Sequence, residues 1–383
     1  MLHILFISTG YPNAYHPLDG IFFRDQAEAL AAYGHQVGFI AVNPVSVKHI
    51  IQKKNISHLG YRHFTEKKVD TRHCAYINLP RSPLYSIKQA MRKGRRIADE
   101  YISENKTPDI IHMHCFEAVE LAEYFINKYR IPLVVTEHSS RFLNNTLHPS
   151  LEKYAQKAFS LSSANIAVSH VLAKELSRKY NIAFQYVPNV VDTDFFTPPA
   201  KIQNDYFTFL NVAGLIPIKS QAMLITAFAE VLKKHDKVRL VIVGEGPERK
   251  RLEKQIGELG IRENVILAGF LGRDWVKKYM QSADAFVLSS SYETFGVVLI
   301  EAMSSGLPVV STKCSGPESI ITDERLGKLC DISSGSLAMA MEDVYNNRTA
   351  YDSVFIRKYA ADNFSNFAVS QKLTALYQNL LGK

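Results

Sequence analysis

Twice along this chain, short runs rich in β-branched and aromatic residues alternate with helical patterns, and that rhythm limits the fold more than any single motif. The first series opens 3-HILFIS-8, passes through a helical pattern over 21–33 and 36-QVGFIAV-42, and continues with 109-DIIHMH-114, 132-PLVVTEH-138 and 165-NIAVS-169. The second opens 207-FTFLNVA-213, followed by a helical pattern over 221–234, 238-VRLVIVG-244, 264-NVILAG-269, 284-DAFVLSS-290 and 307-LPVVST-312. Alternation of this kind argues for βαβ units and parallel sheets. Between the two series, Pro188, Pro198 and Pro199 break up a polar connection. At 383 residues with 46% hydrophobic content, the chain has apolar material for two cores. The expected organisation is therefore an α/β domain over 1–190, a linker over 191–205, a second α/β domain over 206–365 and a final helix over 366–383. In that helix Val369, Leu373, Leu376 and Leu380 form an amphipathic stripe that needs a surface to cover.

Several classes of protein are disfavoured. No apolar run approaches the roughly 18 residues that span a bilayer, and residues 2–9 lack the basic leader and cleavage site of a signal peptide, so a cytoplasmic protein is expected. Cys74, Cys115, Cys314 and Cys330 form no CxxC pair, which points to reduced structural thiols rather than a zinc site or a disulfide framework. The net charge of +8 is concentrated in residues 48–96, where thirteen Lys or Arg face only Glu66 and Asp70. Tyr61, Phe64 and Tyr76 form no recognisable RNA-binding motif there, so nucleic acid is not expected as a partner. Ile50, Ile51, Leu59, Tyr61, Phe64, Leu84, Tyr85 and Ile87 are interspersed with the same cations, and the mixture predicts reversible binding to an anionic membrane surface.

The stretch 291-SYETFGVVLIEAMSSGLPVVST-312 carries the chemistry. A strand ends near Ser290, a loop holds Glu293, and a helix is expected to open at Thr294–Phe295 and stop at Gly306. A loop leading into a helix N-terminus is an anion site, here built from the N–H groups of Phe295, Gly296 and Val297. Glu301 lies almost two turns further on, roughly 10–12 Å from Glu293 at a rise of ~1.5 Å per residue. An extended nucleotide-sugar could place a diphosphate at the helix start and hydroxyl donors at both carboxylates. Taken alone, the spacing fits a solvated loop acid and a helix-surface acid equally well. Asp192-Thr-Asp194 has the form of a metal-binding Asp-x-Asp, but it falls in the interdomain connection, where a donor site is not expected. Gly244-Glu245-Gly246 is an incomplete GxGxxG, with Arg249 at the third position. 315-SGPE-318 reads as a helix-capping box.

Nearly the whole chain resembles the retaining glycosyltransferases of family 4, in the glycogen-synthase-like superfamily. The resemblance rests on the Glu, Phe-Gly, seven residues, Glu pattern of the stretch above, with 213-AGLIPIKSQAMLITAF-228, 241-VIVGEGP-247, 267-LAGFLG-272 and 313-KCSGPESI-320. In the first half it rests on 33-YGHQV-37, 109-DIIHMH-114, 135-VTEH-138 and 188-PNVVDTDFF-196. It implies the GT-B fold, two Rossmann-like α/β domains facing each other across a cleft. The first would bind the acceptor and the second the nucleotide-sugar.

The implied reaction is a retaining, metal-independent transfer of a hexose or N-acetylhexosamine from a nucleotide-diphosphate sugar, with UDP the expected nucleotide. The implied acceptor is a hydroxyl, on a lipid-linked saccharide in cell-surface polysaccharide, lipopolysaccharide or glycan assembly. No cofactor is implied, since the donor is a substrate. By the same resemblance Glu301 would hold the ribose and Glu293 the transferred sugar, while the Phe295–Val297 backbone would hold sugar and diphosphate. Lys219 would neutralise the phosphates, Phe270 and Leu271 would face the base, and His138 would reach the donor sugar from the other domain. Two departures stand out. Gly214 occupies the place of a family arginine, for which Arg141 is a candidate substitute. In 20-GIFF-23, Gly20 remains on the acceptor side, but the second glycine of many members does not. A nucleotide-sugar epimerase of the same fold is the alternative enzyme.

Overall fold

Each apolar run becomes a strand, most of them buried; the run ending at Gly269 forms a sheet edge with Ile266 exposed. The computed structural model describes residues 1–47, 50–51, 58–78, 83–199 and 205–383. Parts of the basic segment (48–49, 52–57 and 79–82) and of the expected linker (200–204) lie outside these. The chain divides into two units, Met1–Val190 with Asn366–Lys383, and Val191–Ser365.

In the first unit the order is β1 (His3–Ser8), α1 (Ile21–Ala32), β2 (Gln36–Ser46), β3 (Gly60–Glu66), β4 (Val69–Asn78), α2 (Pro83–Glu104), β5 (Ile110–His114), α3 (Val119–Tyr129) and β6 (Leu133–Glu137). It continues with α4 (Pro149–Leu161), β7 (Ala164–Ala167), α5 (His170–Tyr180) and β8 (Phe184–Tyr186). The sheet order is β3-β4-β2-β1-β5-β6-β7-β8. All pairs are parallel except β3 with β4. Every residue of β1, β5 and β6 is buried, as parallel strands covered by helices on both faces require. The antiparallel β3 is a mostly exposed edge carrying Arg62 and His63, side chains that discourage pairing with another chain.

The second unit contains β9 (Phe207–Val212), α6 (Gln221–Leu232), β10 (Val238–Val243), α7 (Arg249–Glu258), β11 (Val265–Gly269), α8 (Arg273–Ser282), β12 (Ala285–Leu288) and α9 (Val297–Ser304). It ends with β13 (Val309–Thr312), β14 (Gly327–Cys330), α10 (Ser334–Asn346) and α11 (Ser353–Phe364). Its strands are all parallel, in the order β11-β10-β9-β12-β13-β14. The final helix α12 (Asn366–Leu380) returns to the first unit. Its Val369, Leu373 and Tyr377 share a core with Phe23, Ala27 and Leu30 of α1.

Two stretches differ from the sequence reading. Residues 191–199, expected as linker, pack with the second unit: Phe196 is fully buried, and Arg357 donates to the carbonyls of Thr193 and Phe196. Proline content marked the turns but not this anchor. In the basic segment, Arg72 is fully buried and pairs with Glu104 at 2.7 Å and Glu100 at 3.4 Å, while Lys67 pairs with Glu28 at 2.8 Å. These acids lie outside the counted window, so part of its surplus is neutralised in the fold. Ile87 is buried and Phe64 packs against the core, so neither is available to a lipid surface.

Candidate active site

In each sheet, strand order reverses at one point, and the crevice at the carboxyl ends there is where open α/β sheets bind ligands. In the second unit that point lies between β9 and β12. Lys219 stands in the loop after β9 and Glu293 in the loop after β12. Three hydrogen bonds join the two loops: the amide and hydroxyl of Ser291 donate to the Ile218 carbonyl at 2.9 and 3.1 Å, and the Ser289 hydroxyl donates to that of Lys219 at 2.8 Å. The Lys219 ammonium thereby meets Glu293 Oε1 at 2.5 Å, and Ser290 donates to the same oxygen at 2.8 Å. Both bonds fall on Oε1.

A third loop, after β13, fixes the entry to α9. The Glu293 amide donates to the Cys314 carbonyl and the Gly316 amide to the Glu293 carbonyl, each at 2.9 Å. A Cβ at Gly316 would lie 2.5 Å from the backbone N, Cα and O of Phe295, so this position admits only glycine without a shift. The expected capping pair takes part: the Ser315 amide donates to Glu318 at 3.1 Å.

The helix starts at Val297, two residues later than expected, because Gly296 is left-handed at φ +99 and Phe295 is buried. No side chain caps this helix start. Glu301 lies one turn in and is partly exposed. Phe270, 62% exposed, and the partly exposed Leu271 follow β11. Gly214 is exposed, and the nearest atom to a Cβ built there is 3.8 Å away. Asp192 accepts from the amides of Asp194 and Phe195, shaping its own turn.

The first unit holds the other residues. Gly20 is left-handed (φ +65) at the start of α1, and a Cβ there would meet the Gly10 carbonyl at 2.7 Å. The residues that follow, where the second family glycine is missing, supply aromatic packing: Phe22 stacks on His138 at 5.4 Å and Phe23 on His114 at 4.7 Å. His138 follows β6, and its Nε2 lies 3.0 Å from His114 Nδ1. Burial pushes His138 down to about 3, with the neighbouring His112 adding to the effect, so its ring is neutral. The buried Glu137 carboxylate accepts from the amides of His138 and Ser139 at 2.9 and 2.8 Å and from Phe116 at 3.3 Å, pinning the turn. Burial and the nearby Glu117 charge push its pKa up while the amides oppose them. Arg141 pairs with Glu117 and donates to the Ser139 hydroxyl at 2.8 Å.

Sequence reasoning passed over His114, Glu137 and Ser290. A signal for the first was present, since His112 and His114 sit two apart on a strand and so share one face; their rings stack at 4.6 Å.

Comparison with known proteins agrees with this architecture. The family model Glycosyltransferase Family 4 matches residues 20–195, and Glycosyl transferases group 1 matches 192–361. The chain belongs to the glycosyltransferases of family 4 and has their GT-B fold. Among its relatives is alpha-monoglucosyldiacylglycerol synthase of Streptococcus pneumoniae, 24% identical over 79% of this chain and 75% of that protein. Another is N-acetyl-alpha-D-glucosaminyl L-malate synthase of Bacillus anthracis, 27% identical over 60% of this chain and 63% of that protein. Similar solved structures include sucrose-phosphate synthase from Thermosynechococcus elongatus, with TM-score 0.78 and 19% identity over 100% of both chains. Anabaena HepE, solved with UDP and glucose, has TM-score 0.73 and 19% identity over 99% of this chain and 100% of that one. The protein is thus a sugar transferase of the GT-B type.

Proposed function

We propose that this transferase moves a hexose or N-acetylhexosamine from a UDP-sugar to a hydroxyl acceptor, with retention at the anomeric carbon and without a metal. The observation that carries the reading is the Lys219–Glu293 pair at the strand-order reversal of the second unit, beside a helix start with no side-chain cap. Lys219 and the helix terminus would stabilise the charge that grows on the departing diphosphate, which is where preorganised donors contribute most. With Oε1 of Glu293 held by Lys219 and Ser290, Oε2 would accept from a sugar hydroxyl. Glu301 would accept from the ribose, and Phe270 and Leu271 would border the base. His138 would contact the sugar, and Gly20 would border the acceptor. The UDP-bound neighbour supports the nucleotide. Arg141, tied to Glu117, is the weaker substitute for the cation missing at Gly214.

The acceptor we propose is a lipid-linked saccharide, reached from the cytoplasmic face of an anionic membrane. A relative named for a diacylglycerol product supports a lipid acceptor. So does α2, which buries Ile87, Met91, Ile97 and Tyr101 and exposes Lys88, Arg92, Lys93, Arg95 and Arg96. Among the described residues no helix is long and apolar enough to cross a membrane. The test is incubation with UDP-, ADP- and GDP-sugars in EDTA, with and without polyprenyl-linked saccharides, reading nucleotide release and product anomer. The proposal expects UDP release and an axial linkage from an axial donor. An inverted product, or activity only after a divalent ion is restored, would overturn it. Isomerised donor in the absence of acceptor would identify an epimerase instead.

A further inference from the structure

The loop from β1 to α1 leaves the first sheet at its strand-order reversal, between β1 and β5, and carries a carboxylate that the proposed donor chemistry does not use. Asp19 is exposed at a cavity of about 470 Å³, within the ~300–1,000 Å³ of small-molecule sites. Pro17, Leu18 and Pro44 give this cavity an apolar wall, and Asp19 is its one carboxylate. Among the described residues no cation pairs with Asp19; its side-chain partner is Asn43, whose amide donates to Oδ2 at 3.1 Å. The surrounding loop keeps enough water from the carboxyl to push it up to about 6, although the bond from Asn43 pulls the other way. At neutral pH it is therefore a carboxylate with unfilled acceptor sites and no counter-charge. Such a group is a cost to the fold that a bound hydrogen-bond donor would offset.

The support behind Asp19 is buried and has one consistent set of donors. Asn43 is 1% exposed and gives its other N–H to the Tyr11 carbonyl, also at 3.1 Å. Both contacts are acceptors, so the amide nitrogen faces them, and Asn43 Oδ1 faces His73 Nε2 at 3.0 Å. Burial holds His73 at about 4, which leaves it neutral and donating from Nε2. The chain from His73 through Asn43 thus ends on an exposed acceptor. Gly10 makes room for it, since a Cβ there would lie 2.9 Å from Asp19 Oδ1. A carboxylate accepts and cannot donate, so the occupant must bring an O–H or N–H and cannot turn a phosphate toward it. We propose that Asp19 is an acceptor-binding residue: its carboxylate, held by Asn43, accepts from a hydroxyl of a neutral sugar on the acceptor, whose C–H face lies on the apolar wall of the cavity. The proposal rests on the reading of the first unit as the acceptor side.

Saturation-transfer NMR of the full chain with octyl glucoside, octyl galactoside and octyl N-acetylglucosaminide tests this without any donor present. The native chain should bind at least one of these glycosides, and inorganic phosphate should not displace it. Asp19→Asn keeps the shape of the side chain and an oxygen for Asn43, and should weaken that binding about 10- to 100-fold, as expected for losing a hydrogen bond to a charged group. Its melting temperature should be unchanged or higher, because the variant sheds a partly desolvated charge; a merely structural Asp19 would lose stability together with binding. UDP affinity, read by calorimetry, should stay at the native value. Equal glycoside affinity in Asp19→Asn, no glycoside bound by the native chain, displacement by phosphate, or a parallel loss of UDP affinity would overturn the proposal. A native chain that binds a glycoside through Asp19 but binds no UDP would reject the donor reading while the assignment of Asp19 stands.

Discussion

Replacing Gly316 by alanine tests whether the loop after β13 sets the start of α9. The added Cβ would lie 2.5 Å from three backbone atoms of Phe295, where ordinary contacts begin at 3.4 Å. The two backbones would have to part by about 0.9 Å, and no flexible side chain is available to absorb the overlap. Overpacking of this kind costs about 1–3 kcal/mol, and each kcal/mol lowers the melting temperature of a domain this size by about 2–4 °C. Phe295 leads directly into Gly296 and the first turn of α9, so the same displacement would move the N–H groups proposed to hold the diphosphate. Misplacement on that scale costs about 100-fold in turnover. Gly214→Ala is the control, because a Cβ there meets nothing closer than 3.8 Å. Thermal unfolding and UDP release from UDP-glucose would be measured for both variants. A Gly316→Ala protein with native turnover and stability, or an equal loss in Gly214→Ala, would refute the reasoning.

The central strands were legible because parallel strands covered on both faces read as unbroken apolar runs, and β1 spans His3–Ser8 as its sequence suggests, whereas the short edge strands β8 and β14 carry no such run and were not read. The basic segment was not legible in the same way. Its strands β3 and β4 carry Arg62, His63 and Arg72, and nothing local reveals that Arg72 points into the fold toward acids on α2. The Glu293–Glu301 stretch announced a loop and a helix, but its start was misjudged because the left-handed turn at Gly296 is a property of the folded loop. The pairing of Lys219 with Glu293 spans 74 positions and follows only from the strand order. His114 and His138 meet for a similar reason, since β5 lies beside β6 with His114 opposite Thr136.

Glu301→Ala should weaken UDP binding at least about tenfold by calorimetry, since hydrogen bonds to a charged acceptor contribute about 1.5–3 kcal/mol each; unchanged affinity would reject the ribose role. Acid should destabilise the first unit. Burial holds His73 at about 4 and His112 at about 3, below the ordinary 6.5 of the unfolded chain. Between those values the unfolded state binds more protons, so unfolding free energy falls as pH drops from about 6.5 toward 4. At pH 5 the loss approaches about 2 kcal/mol per histidine as an upper bound. Urea unfolding from pH 7 to 5 should show it, with a shallower slope in His73→Gln; a flat profile would contradict the assignment. Liposome sedimentation should require anionic lipid and weaken with salt, with each oriented cation contributing about 1 kcal/mol. Neutralising Arg92, Lys93, Arg95 and Arg96 together should abolish it, and equal recovery with neutral liposomes would remove the electrostatic membrane proposal.

The central claim is that Lys219 stabilises a leaving diphosphate in the second unit. Turnover of Lys219→Ala at saturating sugar-nucleotide, compared with native protein of matched melting temperature, tests it most directly. An ammonium acting on charge that develops in the transition state should be missed in kcat, by about 100- to 1,000-fold, and not in KM alone. A variant that is folded and turns over at the native rate once donor is saturating would contradict the account.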